Sequence, residues 1–117
     1  MIEDKALELG RLIGQSEEYR ATLRANEALK DDTEAVTLLQ KMEQLRRDAQ
    51  AMLERGEEPT EEMERQLDEM LATVQATAVY QRVAVAQENL EKLMRRVNDY
   101  ISDGINKGAQ SQIITLG

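Results

Sequence analysis

The sequence predicts an all-α fold: an antiparallel helical bundle of about five helices, dominated by two long ones and expected to oligomerise. Three observations predict it. Ala, Glu, Leu, Gln, Arg and Met, all good helix formers, dominate a chain with one Pro and six Gly. Aromatics are nearly absent, with three Tyr and no Phe or Trp, so the core must be Leu, Val, Ile, Met and Ala. Two long stretches carry apolar residues at alternating steps of three and four, the rhythm of a helix lying along another helix. The 117 residues fit one domain, expected as a helical body over 1–103 and a tail over 104–117, flexible or docked on a partner.

The first helix is expected over Glu3–Ile13, with Ala6, Leu9 and Ile13 on one face and Gly14 in a left-handed terminating position. Ser16 then caps a second helix reaching about Leu29, with Glu17 and Glu18 in its first turn, where the helix dipole favours acids. Asp32 caps a third over Thr33–Arg55, whose face holds Leu38, Met42, Leu45 and Met52. Gly56 ends it, Pro59 lies in the loop, and Thr60 caps a fourth helix carrying Met63, Leu67, Met70 and Val74. Around Gln75–Thr77 that helix either ends or bends into the next.

The final helix, Thr77–Ile101, organises the rest. Val79, Val83, Ala86, Leu90, Leu93, Val97 and Ile101 form its stripe, Thr77 is its cap, and Gly104 its expected end. The third helix is its expected antiparallel partner, the two forming a spine. Leu38, Met42, Leu45, Val83, Leu90, Leu93, Val97 and Ile101 are thus the candidate core or oligomer interface. Beyond Gly108, Gln112–Leu116 has strand-like composition. A faint similarity recurs at an offset of 61: Ser16 and Tyr19 against Thr77 and Tyr80, then Ala25, Glu27 and Leu29 against Ala86, Glu88 and Leu90. Five matches in helical sequence do not establish a repeat.

The residue inventory narrows the chemistry. No His is present, which removes the commonest acid/base group and metal ligand. No Cys is present, which excludes disulfides, thiol chemistry and Cys/His zinc sites. No phosphate-cradling glycine loop or nucleophile elbow occurs. No catalytic residue, cofactor or metal is therefore assigned. The net charge of −8 disfavours direct nucleic-acid binding. No apolar run is long enough to cross a bilayer, so a cytoplasmic protein with no membrane contact is expected.

Residues 54–69 hold eight acids against Arg55 and Arg65. A solvated helix start explains them; a cation site would need alternating oxygen ligands around a mid-loop Gly. Two basic doublets, Arg46-Arg47 and Arg95-Arg96, are the candidate partner-docking residues. Ordinary surface pairing, Glu43 with Arg47 and Glu91 with Arg95, is the plainer account. An apolar stripe left uncovered by so thin a bundle would bind another helix or a second copy.

These residues resemble the YlbF/YmcA family of small helical bacterial proteins. The resemblance is carried by Ala6, Leu9, Ile13, Ser16, Glu18 and Tyr19, by Leu29, Asp32, Glu34, Ala35 and Leu38, by the Gly56 to Pro59 loop, and by Tyr80, Ala86, Leu90, Leu93, Val97 and Ile101. It implies a cytoplasmic regulator, dimeric or larger, without catalytic activity. The family is linked to competence, sporulation and biofilm formation, in a complex that steers the endoribonuclease RNase Y. Expected partners are therefore itself, other helical regulatory proteins or a ribonuclease complex. Some members hold iron–sulfur clusters through cysteines; this chain has none to offer, and Thr77-Ala78 stand where a Pro often precedes the last helix. A structural or chaperone-like helical oligomer is the alternative function.

Overall fold

The structure, a computed structural model, describes residues 1–116, with side chains through Ser111. Five helices follow in order: α1 (Ile2–Gly14), α2 (Glu17–Asp31), α3 (Thr33–Glu54), α4 (Glu61–Gln75) and α5 (Ala78–Leu116). No strand occurs among the described residues. The class is all-α.

Local chemistry explains each boundary. The Ser16 hydroxyl accepts the Tyr19 N–H at 3.2 Å and donates to the Ile13 carbonyl at 2.5 Å, so one side chain closes α1 and opens α2. An Asp32 carboxylate oxygen accepts the Ala35 N–H at 2.9 Å, and the Thr60 hydroxyl accepts the Met63 N–H at 3.1 Å. At the end of α3 the chain makes a Schellman turn. Glu57 N–H reaches the Met52 carbonyl at 2.8 Å and Gly56 N–H the Leu53 carbonyl at 3.0 Å, with Gly56 at φ 79°. Gly14 is not such a terminator. It remains helical, and the chain passes through Gln15 in a right-handed conformation before Ser16 takes over.

The question left open at Gln75–Thr77 resolves as a break. Thr77 repeats the work of Ser16: its hydroxyl accepts the Tyr80 N–H at 3.3 Å and donates to the Val74 carbonyl at 2.7 Å. The flanking backbone bonds match too. Gln15 to Arg11 at 3.0 Å corresponds to Ala76 to Ala72 at 3.2 Å, and Arg20 to Ser16 corresponds to Gln81 to Thr77, both at 3.1 Å. Every pair is displaced by the 61 positions of the faint sequence similarity. The α1–α2 junction and the α4–α5 junction are therefore one structure used twice.

The helix pairing corrects the expected spine. α5 packs chiefly on α2, and α3 packs on α4. Glu17 and Glu18 at the start of α2 share a groove with Lys92, Arg95 and Asp99, while Ala28 near its end shares another with Ala78 and Gln81, so α2 and α5 run antiparallel. Leu38, early in α3, lies beside Met70 and Thr73, late in α4. The physical reason is connectivity: the short loop after Gly56 returns the chain directly along α3, which occupies α3 with α4 and leaves α5 to α2. The molecule is a long bent hairpin, two helices thick, with extents of 68 × 36 × 21 Å.

The end of α5 is a second correction. Gly104 does not terminate it; the helix continues through Gly108 to Leu116, including the stretch read as strand-like. An interior Gly costs only about 1 kcal/mol relative to Ala, too little to stop a helix already propagating. Whether the last side chains dock on anything lies outside the described residues.

Candidate functional site

The seam between α2 and α5 is the most extensive helix–helix contact among the described residues. Ala25, Val83 and Ala86 form its buried cluster, with Ala21 and Leu29 packed against them. The small side chains let the backbones approach: the Thr22 hydroxyl, bonded to the Glu18 carbonyl at 3.1 Å, also lies 3.5 Å from the Ala86 carbonyl across the seam. In the α3/α4 arm, Ala35 and Val74 are fully buried and Met42 nearly so.

Of the expected interface residues, Met42 and Val83 are buried. Leu38, Leu45, Leu90, Leu93 and Val97 are half-buried, and Ile101 is exposed. They do not form one surface. Leu38, Met42 and Leu45 belong to α3, in the arm with α4, while Val83, Leu90, Leu93, Val97 and Ile101 belong to α5.

Arg46 and Arg47 are both engaged by Glu43, at 3.4 and 3.6 Å. The expected Glu91–Arg95 pair does not form; Lys92 pairs with Glu88 at 3.4 Å instead. Arg95 and Arg96 make no ion pair among the described residues, and both line an open groove of about 870 Å³ with Glu17, Glu18 and Asp99. The structure thus separates two doublets that look alike in sequence.

The acidic segment is organised around Arg65. Its guanidinium bonds to Glu62 and, at 2.6 Å, to Glu69. The hydrogen bond from Arg65 holds the Glu62 carboxyl below its ordinary range, and the same bond raises the guanidinium. Both groups are exposed. Among the described residues no three acids converge closely enough to share a metal ion.

Sequence reasoning missed the far end of the hairpin. There α1 lies across an open trough of about 790 Å³ from Ile101, lined by Ile2, Ala6 and Leu9. Ile2 is 80% exposed, Ile101 45% and Ile105 64%. The signal for Ile105 is its step of four beyond Ile101, which continues the stripe of α5 past Gly104.

This is an elongated, all-helical protein whose features are surfaces between helices. Its sequence matches the family described as "Control of competence regulator ComK, YlbF/YmcA" over residues 2–106, and the chain belongs to that family. It is similar to a UPF0342 protein of Limosilactobacillus reuteri, 27% identical over 104 residues spanning 89% of this chain and 85% of the relative. It is also similar to a UPF0342 protein of Leuconostoc mesenteroides, 25% identical over 101 residues and 86% of each chain. The family description links it to control of the competence regulator ComK. No helix among the described residues is long and apolar enough to cross a membrane.

Proposed function

We propose that this chain is a non-enzymatic regulatory adaptor, acting in the cytoplasm by helix-mediated contact with other proteins. Its setting is the control of competence, with biofilm formation and sporulation as related outputs, through a complex that modulates RNase Y-dependent messenger-RNA processing. The observation that carries this reading is the amount of surface left uncovered. A compact monomer of 13.3 kDa exposes about 6,450 Å². This chain exposes 9253 Å², and its radius of gyration is 22.0 Å where a compact domain of this length has about 13 Å. Such a shape suits a scaffold laid against partners.

Arg95 and Arg96 are the docking residues of choice, because among the described residues no carboxylate forms an ion pair with them, and both line an open groove. Arg46 and Arg47, tied to Glu43, contribute less. The test is affinity capture from the native host with mass spectrometry. The adaptor reading expects one or a few defined proteins, lost in an Arg95→Glu/Arg96→Glu variant. Retention of many unfolded proteins would instead indicate a chaperone-like oligomer and overturn the reading.

A further inference from the structure

One flank of the α2–α5 seam carries two open troughs, of about 650 and 870 Å³, that share Ala21 and Asn89 and so form one groove. Its walls are regular. Beside the buried stripe of α5 runs a second row at alternating steps of four and three: Ala78, Arg82, Val85, Asn89 and onward to Asp99, every member of it exposed. From α2 come Ala21, Arg24 and Ala28 at the same rhythm. That is the spacing by which helices pack along one another, and only α2 and α5 line the groove.

We propose that this groove takes a helix of another protein: an acidic amphipathic helix of about six turns, completing a three-helix bundle with α2 and α5. The proposal rests on the adaptor reading and names the chemistry of its partner. Length follows from the row on α5, which spans about 32 Å from Ala78 to Asp99 by helical rise. Charge selects the occupant. Five bases and three acids line the groove, so it is positive on a chain whose net charge is −8. Arg24 is paired with Glu17 and Lys92 with Glu88, but Arg82, Arg95 and Arg96 form no ion pair among the described residues. The small side chains of Ala21, Ala28 and Ala78 leave room for aliphatic residues of the incoming helix, and Val85, 57% exposed, gains cover from them. Asn89, midway along, is the kind of polar residue that fixes register in such packing. The most acidic helix of this chain is already committed: α4 carries five acids and one base but is packed on α3, with Val74 fully buried. A nucleic-acid strand fits less well, because no aromatic side chain lines the groove for bases to stack on, and Glu17, Glu18 and Asp99 stand at one end of it.

The probe is a fluorescein-labelled synthetic peptide of about 22 residues, the length of the row on α5, with Leu at alternating steps of three and four and Glu flanking that stripe. It is titrated against the full chain and read by fluorescence anisotropy, with circular dichroism to check the fold of each variant. The wild type is expected to bind it saturably, and to bind the same peptide with Lys for each Glu at least about tenfold more weakly. Arg82→Glu/Arg96→Glu and, separately, Val85→Asp should each weaken the acidic peptide by at least about tenfold while leaving the chain folded, since all three side chains are exposed. No binding, equal binding of the two peptides, or a Val85→Asp chain that binds as wild type would each overturn the proposal. So would tighter binding of a uridine-rich RNA strand than of the acidic peptide, which makes the groove a nucleic-acid surface. A sedimentation mass that falls in Val85→Asp also overturns it, because a second copy is then the occupant. A host protein captured by Val85→Asp but lost from the Arg95→Glu/Arg96→Glu variant overturns the groove and leaves the adaptor reading standing.

Discussion

Replacing Thr77 by Ala probes the most consequential joint of the hairpin. The Thr77 hydroxyl makes two hydrogen bonds, one to each helix it separates. Losing a cap of this kind costs about 0.5–2 kcal/mol. Helix propensity offsets little of this, because position 77 lies outside the helix and gains nothing from Ala there. For a chain of 117 residues, about 4 °C of midpoint accompanies each kcal/mol, so Thr77→Ala should lower the thermal midpoint by roughly 2–8 °C. Thr77→Ser keeps the oxygen and should restore the wild-type value.

Ser16→Ala is the matched perturbation, since Ser16 makes the same two bonds at the equivalent joint. The two caps sit at opposite ends of the α2–α5 seam, roughly 20 Å apart by helical rise. Their effects should therefore add to within about 0.5 kcal/mol in the double variant. Far-UV circular dichroism reads the midpoint, and small-angle scattering reads the shape, expected to stay at 22.0 Å because α3 continues to hold α4 in place. A Thr77→Ala protein as stable as wild type would refute the reasoning, for it would mean the break is set by packing around Val74 and not by the hydroxyl.

Gly56→Ala places a Cβ in a left-handed conformation at φ 79°, which costs about 1–2 kcal/mol although nothing lies within 4 Å of it; chemical denaturation should show a lower midpoint with an unchanged slope. Leu90→Asp sets a charge in the half-buried stripe of α5 and should cost roughly 1–3 kcal/mol; a melting curve identical to wild type would remove Leu90 from the core.

The caps were legible in the sequence because they are local. Ser16, Asp32, Thr60 and Thr77 each announce themselves within four residues, and each makes the predicted bond. Pairing was not legible. The stripes of α3 and α5 say that both helices bury a face, but not against what; the decision came from the loop after Gly56, which commits α3 to α4. Gly14 and Gly104 misled for a common reason. Glycine permits a helix end without enforcing one, and at both positions the backbone stays helical, with open space where a Cβ would stand. The recurrence at 61 residues shows in the sequence only as five matches, because a joint of this kind physically requires one hydroxyl and a few aliphatic positions, and the exposed residues between them make no contact that the joint needs.

The open face of α1 bears on why that segment is helical at all. It has 13 residues, no buried side chain and no side-chain cap at its start, and isolated helices shorter than about 12–15 residues are marginal in water. Its last turn is secured by Ser16, but that bond fixes one end only. The ion pairs along it, Lys5 with Glu8 at 3.9 Å and the amino terminus with Glu3 at 3.5 Å, are exposed and add little. In α4 the equivalent positions carry Met63 for Ile2 and Leu67 for Ala6, both half-buried, and α3 packs along that helix. Cover from outside the chain would supply for α1 what α3 supplies for α4. On that account the ordering of α1 and the covering of its apolar face are one equilibrium, and any partner docked there would have to cover that face to keep α1 folded.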